Sequence, residues 1–307
     1  MVEGVVRRIL IIIFLSTMGY WSSAQSRLIT LDHAAVRVYT EGLEDRKEGQ
    51  PVIVFENGHG ETINSWETIA EAVGQLGPVL MYDRPGTGGS EPDQVIPTIK
   101  GHSKKLNQIL NVLHIDPPYL LVGHSLGGVY IRGFANQYPD DLAGLIFVDP
   151  ADFTQKLSDF EIPYREIGVG DAYIDSMMKA KFSQPAVIDS SKNIRVQQES
   201  ELLRNLRITD FRALNEKDLP AIPVHFIVGG RFSVPPEYRS KDYDQESLFR
   251  ARTRHWVENW MNVVNKSPYG RLFYSSIAGH YVQNDDPDIV LLSIQLAVKD
   301  YYKMIGQ

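Results

Sequence analysis

The sequence predicts an α/β fold: a mostly parallel sheet with helices on both faces and one long helical insertion. Three observations carry this. Short apolar, β-branched runs alternate with segments of helical spacing along most of the chain. The alternation lapses between Ala151 and about Leu219, where no strand pattern occurs. A G-x-S-x-G pentapeptide, Gly123-His124-Ser125-Leu126-Gly127, joins an apolar run to a helix-compatible run.

Taken in order, Ala34 to Tyr39 reads as an early strand. Pro51 to Phe55 is a buried strand ending in the loop Glu56-Asn57-Gly58-His59-Gly60, and Trp66 to Val73 has helical spacing. Pro78 to Tyr82 is the next strand, closed by Asp83-Arg84-Pro85-Gly86-Thr87-Gly88-Gly89-Ser90. A helix follows over Lys100 to Leu113, then a strand over Tyr119 to Val122 and a helix over Val129 to Gln137. Leu142 to Val148 is a strand closed by Asp149-Pro150. In the insertion, Tyr173 to Lys181 and Gln197 to Leu206 have helix-forming composition. Strands resume at Ile222 to Val228 and at Leu272 to Ile277, the latter closed by Ala278-Gly279-His280. Asp288 to Tyr302 is a terminal amphipathic helix. Trp256 and Trp260 lie four apart, on one helix face, and Trp66 reads as core.

The first residues have the layout of an export signal. Arg7 and Arg8 precede an apolar core from Ile9 to Leu15, and Ser22-Ser23-Ala24 offers small residues for cleavage before Gln25. The expected organisation is a signal over residues 1–24, a core domain over 25–150 and 220–307, and a helical cap over 151–219. The alternative for the first segment is an uncleaved amino-terminal anchor. A secreted or periplasmic location follows from cleavage, with no stable membrane insertion afterwards.

Composition narrows the chemistry. The chain has 307 residues, a hydrophobic content of 43% and a formal net charge of −7, with no basic cluster interleaved with aromatics. A nucleic-acid partner is not expected. There are no cysteines, which removes disulfides, thiolate metal sites and a cysteine nucleophile. The 8 histidines are scattered without an H-E-x-x-H, so neither a metal nor another cofactor is expected.

The pentapeptide carries the chemistry. A strand running into a helix through a tight turn presents the turn residue at the carboxyl edge of a sheet, at the amino end of the helix. Ser125 is therefore the candidate nucleophile. A serine hydroxyl needs a base to remove its proton during attack. His280, at the end of the last predicted strand, is the candidate base.

The order of these motifs resembles the α/β-hydrolase family. The resemblance covers nearly everything after the signal and rests on Asn57-Gly58-His59-Gly60, Tyr82-Asp83-Arg84-Pro85-Gly86, the elbow around Ser125, and Gly279-His280. It implies a chain order of nucleophile, acid and histidine. Many members carry the acid after the penultimate strand, but here that loop reads Gly229-Gly230-Arg231-Phe232-Ser233-Val234. Some lipases of this fold carry it one strand earlier, in an Asp-Pro-Ala context like Asp149-Pro150-Ala151. Asp149 is thus the expected acid, with Asp152, Asp242 and Asp244 as alternatives. The resemblance also implies two oxyanion donors. One is the backbone N–H of Leu126; the other is that of His59, or of Glu61 if the loop aligns two residues later. His59 is preferred because Gly58 then gives the close approach after the strand. Asp83 to Gly86 reads as a structural turn.

The function expected is an exported serine hydrolase acting on a small-molecule carboxylic ester, with the cap shaping the acyl pocket through residues such as Met177 and Met178. Epoxide hydrolase and dehalogenase chemistry fit less well, since such enzymes of this fold resemble one another in having Asp at the elbow. A peptidase, a carbon–carbon hydrolase, a perhydrolase and a ligand-binding or receptor-like protein that keeps the fold are the alternatives.

Overall fold

The computed structural model describes residues 25–185 and 187–306. The proposed signal and its cleavage point lie outside the described residues. The strands are β1 (Gln25–Leu31), β2 (Ala34–Glu41), β3 (Val52–Glu56), β4 (Val79–Tyr82), β5 (Tyr119–His124), β6 (Leu142–Val148), β7 (Val224–Gly229) and β8 (Gly270–Ser275). The helices are α1 (Glu67–Gly74), α2 (Ile99–Val112), α3 (Leu126–Gln137), α4 (Ile162–Glu166), α5 (Asp171–Phe182), α6 (Ile194–Ile208), α7 (Arg212–Asn215), α8 (Gln245–Val264), α9 (Val282–Asp285) and α10 (Pro287–Met304).

The strands form one 8-stranded sheet in the order β1-β2-β4-β3-β5-β6-β7-β8. Pairings from β4 through β8 are parallel, while β1 and β2 pair antiparallel at one edge. Strand β1 is an element the sequence reading did not assign. Its pairing with β2, from Gln25 opposite Thr40 to Leu31 opposite Ala34, is a contact between segments rather than a local pattern.

Alternation along the central strands divides the core. Val54, Leu80, Leu121, Phe147 and Phe226 face α2, α3 and α8, where Ile109, Phe134 and Trp260 meet them. Ile53, Phe55, Met81, Val122 and Ile146 face α1 and α10, where Ile69, Val73, Val290 and Ile294 meet them. Strands β3 to β7 are buried on both faces, which explains why these runs read as continuously apolar. Helix starts are marked by side-chain caps: Thr98 for α2, Asn193 for α6 and Asp244 for α8.

Between β6 and β7 the described residues form only helices and turns, α4 to α7 among them. Among the described residues no helix is long and apolar enough to cross a membrane.

Candidate functional site

The site lies at the carboxyl ends of β5, β6, β7 and β8, where a parallel sheet leaves room for a ligand. Ser125 sits between β5 and α3 with φ 52° and ψ −116°. A non-glycine residue there costs about 1–3 kcal/mol, so its surroundings must hold it. Ser125 N–H donates to Val148 O at 3.1 Å, and Ser125 O accepts from Gly128 N–H at 3.1 Å and Ala151 N–H at 3.0 Å. The flanking glycines permit the approach. A Cβ on Gly127 would lie 2.3 Å from Glu56 O, and one on Gly123 would lie 2.6 Å from Gly127 O. The turn therefore tolerates no side chain at Gly123 or Gly127, two residues to either side of the serine.

His280 and Asp149 converge on this serine. His280 Nε2 lies 3.0 Å from Ser125 Oγ, and Nδ1 lies 2.6 Å from Asp149 Oδ2. The other carboxylate oxygen, Oδ1, accepts from Gly229 N–H at 2.9 Å, which fixes the carboxyl plane. With Nδ1 donating to Asp149, Nε2 is the atom free to accept a proton from Ser125. The His280 side chain is 49% exposed, so its serine-facing edge is open. Burial works against a charge on the ring, but the Asp149 hydrogen bond and charge, with Glu61 beyond, raise its pKa above the ordinary histidine value.

The alternative acids are engaged elsewhere. Asp152 accepts from Trp260 Nε1 at 3.1 Å and Thr154 N–H at 2.9 Å, and burial raises its pKa. Asp244 caps α8 through the N–H groups of Glu246 and Ser247. Asp242 lies on the exposed loop before it.

In the loop after β3 most amides already have acceptors. Glu61 N–H already donates to Gly58 O, Gly58 N–H to Glu61 Oε2, and Gly60 N–H to Glu199 Oε2. Among the described residues, the N–H groups of His59 and Leu126 meet no such acceptor.

Several residues of this neighbourhood were not legible as such in the sequence. His124, fully buried, donates from Nε2 to His280 O at 2.8 Å and faces Glu61 with Nδ1 at 2.9 Å, so it braces the backbone of His280. Arg84 is the larger surprise. It is 2% exposed, and all of its donors are used: Glu199 twice, Glu56, Asn57 O and Gly58 O, at 2.6–3.0 Å. The Gly58 carbonyl points at Arg84. In a trans peptide the N–H points the other way, so the His59 N–H is turned away from Arg84. The expected turn is also a clamp on the loop after β3. Its adjacency to a strand end is the only local signal; Glu199, on α6, has none.

A cavity of about 300 Å³ opens beside Asp149 and His280. Its walls come from the segment after β7 and from α8, including Phe232, Tyr243, Phe249, Arg252 and Trp256. This corrects the expectation that insertion side chains line it. Met177 and Met178 pack on Tyr164, Ile174 and Leu248 in a small cluster of their own, because α5 turns its apolar face toward α8 rather than toward Ser125. The insertion reaches the site instead through α6, whose Val196 O lies 2.7 Å from His59 Nε2. A larger cavity, about 610 Å³, lies by the opposite end of β7 near Val224, Arg132 and Lys217, away from Ser125.

Comparison with known proteins agrees with this architecture. Residues 51–173 match the family model of the alpha/beta hydrolase fold. An uncharacterized protein of Bacillus subtilis, YqjL, is 32% identical over 99 residues, which is 32% of this chain and 39% of that protein. The chain spans less than half the length of the curated relatives it matches. Among solved structures, the carboxylesterase CesB of Bacillus subtilis superposes with a TM-score of 0.52 at 13% identity, over 89% of this chain and 90% of that one. A Pseudomonas aeruginosa protein provisionally named an epoxide hydrolase gives 0.56 at 14% identity, over 91% and 97%. By its sheet, by the matched stretch and by these likenesses, the chain has the α/β-hydrolase fold.

Proposed function

We infer that this protein is an exported serine hydrolase that cleaves carboxylic esters through an acyl-enzyme intermediate. The observation that carries the reading is the unbroken hydrogen-bonded line from Ser125 through His280 to Asp149 at the carboxyl edge of the sheet. Ser125 Oγ attacks the ester carbonyl carbon while His280 Nε2 takes the hydroxyl proton. Asp149 holds the imidazole tautomer and stabilises the imidazolium without accepting the proton. The carbonyl oxygen becomes an oxyanion, for which the His59 and Leu126 N–H groups are the donors, each worth about 3 kcal/mol to the transition state. His280 then returns the proton to the leaving alkoxide, and the alcohol departs. Water, deprotonated by the same ring, attacks the acyl-serine and releases the acid. Serine rather than a carboxylate at the elbow favours this route over epoxide opening.

A fluorophosphonate probe tests the reading. The expected result is one covalent adduct on the intact protein, placed on Ser125 by mass spectrometry, together with hydrolysis of nitrophenyl esters somewhere between acetate and palmitate. A folded protein that takes no label and turns over none of them would fit the ligand-binding alternative instead.

The raised His280 pKa sets the pH dependence. The base works only when neutral, so kcat/KM should rise with pH through a midpoint above the ordinary histidine value of about 6.5. Asp149→Asn removes the main interaction favouring the imidazolium, and the midpoint should move to lower pH. An acid limb that stays in place in that variant would mean another group is titrating.

A further inference from the structure

The cavity beside His280 is lined by aromatic side chains and by two arginines whose electrostatic situations differ. Arg231 is already paired: its Nη2 lies 2.8 Å from Asp285. Arg252 has no carboxylate within ion-pair distance among the described residues, and its hydrogen bond to protein is a single one, from Nη2 to Tyr164 Oη at 2.6 Å. A guanidinium has five N–H donors, so most of its donor capacity is unused. What holds it is aromatic: its guanidinium carbon lies 5.4 Å from the Phe160 ring centroid and 5.0 Å from that of Tyr164.

Two further cations stand close to Arg252. The Lys181 ammonium lies 4.5 Å from the centroid of the same Phe160 ring, so both cations share one aromatic platform. Arg207 stands near both. Desolvation, then Arg207 and Arg252, push the Lys181 pKa down to about 8. The acids in reach are committed. Asp149 holds His280, and Asp152, which acts on Arg207, is bonded to Trp260 and Thr154. Lys181 and Arg207, behind the cavity wall, repel Arg252, and an anion bound at Arg252 would relieve that repulsion.

We propose that this cavity takes an apolar or aromatic group bearing a carboxylate, with Arg252 as the residue that pairs with that carboxylate. The substrate class is then an ester carrying a free carboxylate at a distance from the scissile bond, such as a monoester of a dicarboxylic acid. Arg252 belongs to binding and specificity, not to the bond-breaking step. The substrate part of this statement rests on the serine hydrolase reading; the binding part does not.

The test therefore has two readouts. In the first, 4-phenylbutyrate and its amide are titrated into the protein, with thermal stability and calorimetry as measures. The acid is expected to bind and raise Tm, the amide to do so much less, and Arg252→Gln to remove the difference while Arg252→Lys keeps part of it. In the second, mono-4-nitrophenyl glutarate is compared with 4-nitrophenyl valerate. Arg252→Gln should lower kcat/KM for the anionic ester by on the order of ten- to a hundred-fold more than for the neutral ester, the worth of a charged hydrogen bond. Carboxylate binding without hydrolysis of either ester would uphold the site and sink the hydrolase reading. Equal binding of acid and amide by the wild-type protein, or equal loss on both esters in a folded variant, would overturn the proposal and leave Arg252 as a packing residue.

Discussion

Ser125→Ala should lower ester hydrolysis by on the order of a million-fold, the scale at which a serine acting as a unit with its histidine fails when removed. The fold should survive. The serine hydroxyl makes one hydrogen bond, to a half-open histidine, and the turn is held by backbone bonds that alanine keeps. Alanine also inherits the φ of 52°, a strain present in the native turn. The checks are kcat on the best ester found and a thermal melt on the same preparation. The variant should retain the wild-type melting curve and lose fluorophosphonate labelling. Wild-type turnover by a folded Ser125→Ala protein would remove Ser125 from the mechanism and turn attention to a water-based route.

The second large effect concerns stability. Arg84→Met leaves Glu199, fully buried, without its cation, and leaves Glu56 with His102 at 2.8 Å as its remaining ionic partner. Burial alone would raise the pKa of Glu56, yet His102 and Arg84 hold it below the usual carboxylate range. Breaking such a pair from one side costs about 3–5 kcal/mol, because an uncompensated charge stays in the interior. Urea unfolding should show that loss in its midpoint with little change in slope. Replacing both Arg84 and Glu199 by methionine should recover part of it, since the orphan charge goes too. An unchanged midpoint in Arg84→Met would mean the network is solvated in solution. The same variant removes the donors that fix the Asn57 and Gly58 carbonyls, so its residual folded fraction should also show a lower kcat.

Arg84, after β4, clamps the loop after β3 through Asn57 O and Gly58 O, a contact between segments that the sequence does not announce. The order of strands and helices was readable because burial on both faces leaves a continuous apolar run, and burial on one leaves a helical period. Strand β6, predicted as Leu142 to Val148, spans Leu142–Val148. Strand β1 and helix α8 were not assigned from pattern, since β1 is half exposed and depends on β2, and α8 carries charges over much of its surface. Ser125 and His280 could be named because glycines and strand ends mark them locally.

The acid was a different matter. Asp149 and Asp152 stand three apart at the end of the same strand, both buried, and nothing local separates them. Their difference is one of direction: Asp149 turns toward β7 and His280, while Asp152 turns under α8 to Trp260. By itself the sequence determined the α/β architecture, the elbow and the residue types of the candidate site. Only the tertiary structure decided which carboxylate meets His280, that Arg84 joins the loop at His59 to Glu199 across 115 residues, and that Arg252 faces the cavity without an acid. The reason is physical. Periodicity and turn residues report backbone conformation and burial over a few neighbours, whereas ion pairs and cavity walls are set by distances between segments that meet only when the sheet closes.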